Sequence, residues 1–223
     1  MHIKLKNNWF LISLFTLFLI SISNNFYQIK LFDKYEGSTK NPNKHLMING
    51  DIGDFWYEAN QIDKEIQEGK NYLETGGEYR RPYLPSRTFY LFSTFFEKNL
   101  ITESGKVFIG AEKVLILIFQ SLFYYSLLFV LYKSILKKVP KLNSQIIILF
   151  LACEPTIIQY HSSFWSESIY FSLQLIIIIF IFKNHHSILS LLLFGLILGI
   201  FYLQRSVSIF YILVIFLYYI LFI

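Results

Sequence analysis

The run VLILIFQSLFYYSLLFVLY, residues 114–132, decides the fold of this chain, and Lys133 closes it. No charge interrupts it. A helix needs about 20 mostly apolar residues to cross the hydrocarbon core of a bilayer, and this run meets that need. The same pattern recurs outward from it. Residues 9–22, extendable to 26, form a first candidate span. Residues 145–160 form a third, broken by Pro155, followed by 164–182, 188–203 and 207–223. The expected fold is all-α: a polytopic transmembrane helical protein with juxtamembrane helices in a long first outward loop. Three parts follow. Residues 1–26 hold the first helix, 27–112 the loop and 113–223 a bundle of about five further spans. Because the last apolar run has no polar flank behind it, the sequence reads as the front part of a longer protein.

Composition agrees. Of 223 residues, 54% are hydrophobic and 19% aromatic, which leaves the second half too little polar surface for a soluble domain. The net charge of +5 is small and gives no reason to expect nucleic acid. Its basic part reads as a topology signal. Cys153 stands alone, which excludes an intramolecular disulfide, and its apolar setting suits a packing residue. Lys4, Lys6, Asn7 and Asn8 resemble the start of a signal sequence, and Ser21-Ile22-Ser23 resembles a cleavage site. Bulky residues crowd that site and later segments also span, which favours an uncleaved signal anchor.

Short loops set the orientation. Lys4 and Lys6, then Lys133, Lys137, Lys138 and Lys141, then Lys183 fall on one side if all six runs span. Cytoplasmic loops carry such an excess. Residues 27–112, the corner at 155–165 and the turn at Arg205 then face outward. The localisation expected is an integral, multi-pass protein of the bacterial inner membrane with its active face extracytoplasmic.

A loop of that length is more than a connector. Phe55, Ala59, Ile62 and Ile66 recur at helical spacing, with Glu58, Lys64, Glu65 and Glu68 opposite. Phe89, Leu91, Phe92, Phe95 and Phe96 make an apolar block suited to the membrane interface. Between them lies GGEYRRPYLPSR, residues 76–87, where Gly and Pro predict an irregular backbone. Its Arg80, Arg81 and Arg87 suit phosphate or a sugar ring, because arginine grips phosphate with two parallel hydrogen bonds. Pairing with the nearby glutamates on a solvated face is the alternative. Asp51 and Asp54 open the loop's first helical pattern. An aspartate there caps the helix or acts as a general base on an acceptor hydroxyl. Asp54, next to Phe55, fits the cap best.

After residue 112 the only acids are Glu154 and Glu167, and the only arginine is Arg205. Charges at bilayer depth are costly and mark functional sites. Threading puts all three at the outer surface, together with His161. Glu167 also suits the start of a helix, where the macrodipole favours an acid, and His161 also suits simple solvation. Arg205 either snorkels to anchor its helix or holds an anionic headgroup. No zinc, P-loop or Gly-x-Ser-x-Gly spacing is present, and no metal site or cofactor is expected.

Four features in order resemble the front half of the GT-C fold glycosyltransferases, polyprenyl-phosphate-sugar-dependent membrane enzymes that include protein O-mannosyltransferases and aminoarabinose transferases. They are the stretch GDIGDFWYEA at 50–59, Gly69-Lys70 followed by the 82–85 segment, Pro155 followed by Ser166-Glu167, and GLILGIFYLQR at 195–205. The resemblance implies inverting transfer of a sugar from a lipid-linked donor to a glycan, lipid or protein acceptor. It makes Asp51, or less well Asp54, the base. Arg80, Arg81, Arg87, Glu154, His161, Glu167 and Arg205 become substrate-binding candidates. Gln204 replaces the family's usual Thr. Two rivals are a lipid-linked glycan polymerase or ligase and a non-catalytic transport or envelope-assembly protein. Clustering of polar residues at one surface favours the enzyme over a transporter, whose polar residues sit at the midplane.

Overall fold

The computed structural model describes residues 9–36, 51–75, 83–95, 111–161, 166–183, 187–205 and 207–222. Every regular element among them is a helix: α1 (Trp9–Glu36), α2 (Asp51–Gln67), α3 (Tyr83–Phe95), α4 (Ala111–Ile135), α5 (Lys141–Ala152), α6 (Pro155–His161), α7 (Ser166–Phe182), α8 (Ile188–Gln204) and α9 (Ser208–Phe222). Two of them are long and apolar enough to cross a membrane, over Trp9–Tyr27 and Leu117–Ile135. The pair α5 and α6 makes a third if it counts as one span, bent by 51° at the break. Helices α7, α8 and α9 are apolar but shorter. Six apolar runs therefore give six helical segments if α5 and α6 count as one, and α7, α8 and α9 are shorter than α1 and α4.

Contacts divide the chain into two compact units. The first holds α1, α4, α5, α6 and α7, with α4 touching each of the others. The sequence of α4 explains its place. Leu117, Ser121, Tyr124, Tyr125, Leu128, Leu131, Tyr132 and Ile135 are buried at helical spacing, while Phe119, Leu122 and Phe123 stay exposed. Phe10 of α1 packs on Tyr132 with ring centroids 4.3 Å apart. Outward-facing apolar rows of this kind suit lipid as solvent, where no water forces them inward.

Polar groups tie these helices together. Ser21 and Ser121 share a hydrogen bond of 3.3 Å, and the Asn25 amide donates to Ser121 Oγ at 3.1 Å. The break between α5 and α6 is closed the same way. Pro155 lacks an N–H, so α5 ends early and α6 restarts with proline at its first position. The carbonyls of Leu151 and Ala152 accept instead from the hydroxyls of Tyr124 (3.2 Å) and Tyr125 (2.9 Å). Tyr125 also donates to Leu17 O at 3.2 Å, so one hydroxyl joins α1, α4 and α5.

The second unit holds α2, α3, α8 and α9, in which α2 packs on α3, α3 on α8 and α8 on α9. Ala59 and Ile62 of α2 are fully buried, as their spacing predicts. Glu65 is buried too, against the expectation of a solvated face, and pairs with Lys70 at 3.7 Å. Glu58 also turns away from open solvent and accepts from the Ser86 hydroxyl of α3. Helix α2 stops in a left-handed turn: Gly69 has φ 90°, its N–H meets Ile66 O at 2.9 Å and the Lys70 N–H meets Glu65 O at 3.0 Å. These two bonds satisfy carbonyls the helix end would leave bare.

Candidate functional site

Helix α2 begins at Asp51, four residues before the expected start at Phe55. Both Asp51 and Asp54 therefore lie in its first turn, where the macrodipole favours negative charge. Asp54 lies inside the helix rather than at its cap.

Helix α3 begins at Tyr83, so the expected irregular backbone gives way to helix over residues 83–87. Pro85 fits because it occupies the first turn, where no N–H is needed for an intrahelical bond. Arg80 and Arg81 lie outside the described residues. Arg87 is only 2% exposed and faces inward rather than toward a ligand groove. Its guanidinium donates to Tyr72 O at 2.7 Å, to Thr75 O at 2.9 Å and to Thr75 Oγ1 at 3.4 Å. It also lies over the Tyr72 ring, 4.6 Å from the centroid. Arg87 is thus a clamp on the turn that follows α2. The sequence carried a weak sign of this role, since Tyr72 and Thr75 are spaced like a turn just upstream.

Glu154 and His161 bracket α6. One Glu154 oxygen accepts from the Thr156 N–H at 3.1 Å, which makes Glu154 the cap of this short helix. His161 is buried, with Nδ1 2.6 Å from Ile157 O and its ring 4.8 Å from that of Tyr124. A carbonyl can only accept, so Nδ1 carries a proton. The solvated histidine expected at this corner is instead a packed one. Glu167 lies in the first turn of α7 and is buried, beside buried Ser168. Its place agrees with the favoured position of an acid at a helix start.

Arg205 ends α8. Its N–H bonds to Phe201 O at 3.3 Å, and its own carbonyl accepts from the Ser208 N–H at 3.0 Å. Ser208 Oγ donates to Phe201 O at 2.9 Å, which tightens the corner between α8 and α9. The side chain of Arg205 is half-buried.

The candidates thus fall into two groups. Asp51, Asp54, Arg87 and Arg205 belong to the second unit, and Glu154, His161 and Glu167 to the first. Asn25, Ser121 and Tyr125 were not singled out by sequence, and Ser21 only as part of a possible cleavage site. Their shared signal was polarity inside an apolar run. Among the described residues no group of three His, Cys, Asp or Glu side chains is placed to hold a metal ion. Comparison of the chain with models of protein families, with curated proteins and with solved structures found no match.

Proposed function

We propose that the chain is a multi-pass membrane glycosyltransferase that moves a sugar from a polyprenyl-phosphate donor to a glycan, lipid or protein acceptor. The transfer takes place on the outer face of a bacterial inner membrane, and the anomeric centre inverts. What supports this most is one grouping in the second unit. Helix α2, which opens at Asp51, and helix α8, which ends at Arg205, both pack with α3, although they are far apart in sequence. A base and a cation carried by one unit are the minimum this chemistry needs.

In this mechanism the Asp51 carboxylate takes the proton of the acceptor hydroxyl. The hydroxyl oxygen bonds to the anomeric carbon as the carbon–oxygen bond to phosphate breaks on the opposite face. Polyprenyl phosphate leaves with the electron pair, and a fixed cation at Arg205 offsets its charge. Arg80 and Arg81 remain candidates for the donor, and Glu154, His161 and Glu167 for sugar or acceptor. Arg87 supports the fold of the loop. Helices α7 and α8 of 17 residues and α9 of 15 complete the six spans. At ~1.5 Å per residue they reach about 22–26 Å, and a bilayer thins locally to meet short helices at modest cost.

The test uses the full chain in vesicles supplied with radiolabelled polyprenyl-phosphate hexose or pentose. Asp51→Asn is expected to slow transfer by ~10²–10⁴-fold, the usual range for a lost general base. Arg205→Ala is expected to weaken donor binding more than acceptor binding, with Arg205→Lys in between. Normal turnover by Asp51→Asn removes the base assignment. Absence of both donor binding and transfer in the unaltered chain removes the glycosyltransferase proposal itself.

A further inference from the structure

A groove of about 620 Å³ runs between α1 and α5 in the first unit, lined by Trp9, Thr16, Leu17, Ile146, Phe150 and Cys153 among others. Its walls are apolar, and the Thr16 hydroxyl is already turned onto Ile12 O at 2.9 Å. The two helices run side by side in the same direction. Tyr125 ties Leu17 O to Ala152 O at one level, and Phe10 meets Tyr132 at the other end. From Leu17 back to Trp9 is ~12 Å, and from Ala152 back to Lys141 ~16 Å, at about 1.5 Å per residue.

The turn at that end is strongly basic. Lys133, Lys137, Lys138 and Lys141 are all exposed, and no acid occurs anywhere from residue 113 to 153. Lys133 and Lys138 rest over the rings of Phe129 and Phe182, and none of the four is in an ion pair among the described residues. Trp9 is exposed at the mouth of the groove, as interfacial anchors are. An apolar slot that opens beside unpaired cations fits one occupant with a hydrocarbon tail and an anionic head. A second copy of the chain is disfavoured, because it would bring a second basic turn against the first.

The geometry points to a bound anionic phospholipid: one acyl chain in the α1–α5 groove and the phosphate on the turn of Lys137, Lys138 and Lys141. This site is separate from the transfer chemistry above and stands or falls without it. Basic pockets between membrane helices take such headgroups, and each lysine near a charged surface contributes about fivefold.

The experiment is electron spin resonance on the full chain in phosphatidylcholine vesicles with trace spin-labelled phosphatidylglycerol or phosphatidylcholine. The motionally restricted fraction is expected to favour phosphatidylglycerol by at least about fivefold at low salt. Combined Lys137→Gln, Lys138→Gln and Lys141→Gln should abolish that preference. Thr16→Trp, which fills the groove, should lower the restricted fraction for both lipids. Should the triple variant fail to insert, Lys138→Gln and Lys141→Gln singly, read against rising salt, give the same answer. No preference, a preference that survives the lysine changes, or a restricted fraction unmoved by Thr16→Trp would each overturn the site. So would a disulfide-linked dimer through Cys153, which would seat a second copy there.

Discussion

Replacing Arg87 tests whether the loop is held by a buried cation. Arg87→Ala removes two short charge-assisted bonds, to Tyr72 O and Thr75 O, together with the contact on the Tyr72 ring. Bonds to a charged group contribute about 1.5–3 kcal/mol each, and a cation over an aromatic face adds ~0.5–2 kcal/mol. Relief of the guanidinium's desolvation, several kcal/mol for a buried ion, offsets part of this. The net expected loss is about 2–4 kcal/mol, in line with other broken buried networks. Arg87→Lys keeps the charge without the planar fork and should lose about half as much. Hydrogen exchange at residues 71–75, followed with thermal unfolding of the full chain, reads the effect. Amides of that turn should exchange much faster in Arg87→Ala, while those of α4 keep their protection. Unchanged exchange at 71–75 with weakened ligand binding would refute the clamp and return Arg87 to the ligand site.

Two further substitutions probe the joints of the fold. Tyr125→Phe deletes the hydroxyl shared by Leu17 O and Ala152 O and should cost ~0.6–1.7 kcal/mol, the range for hydrogen bonds between membrane helices; an unfolding titration that shows no loss would mean both carbonyls find other donors. Gly69→Ala meets no atom within 4 Å, so its cost is conformational alone and should be about 1–2 kcal/mol. Equal stability of the two proteins by thermal unfolding would show that the turn after α2 relaxes out of its left-handed form.

Helix existence was legible because apolar runs and their breakers act locally. The Pro155 break, the ends of α8 and the buried Ala59 and Ile62 all follow from spacing and proline chemistry. Length was legible too: α7, α8 and α9 each lie within two residues of the apolar runs 164–182, 188–203 and 207–223. Side-chain partners were least legible. Glu58 and Glu65 look like solvent residues until α3 packs beside them, and Arg87 looks like a ligand residue until the 72–75 turn closes under it. Such pairings depend on contacts between elements, which periodicity does not encode. For Asp51 and Arg205 the sequence supplied a carboxylate and a guanidinium, and the structure supplies their membership of one unit.

The junction of α5 and α6 also constrains how this chain can vary. Proline at 155 strands the last carbonyls of α5 in an apolar setting, where a bare acceptor is expensive. Tyr124 and Tyr125 reach over from α4 to occupy two of them. The bend therefore behaves as a braced elbow, with its angle fixed from a neighbouring helix. A chain that lost the tyrosines while keeping the proline would carry two naked acceptors. One that lost the proline while keeping the tyrosines would have two hydroxyls competing with a restored helix ladder. Drift at these three positions should be concerted, and an engineer who wishes to straighten α5 into α6 must change all of them together.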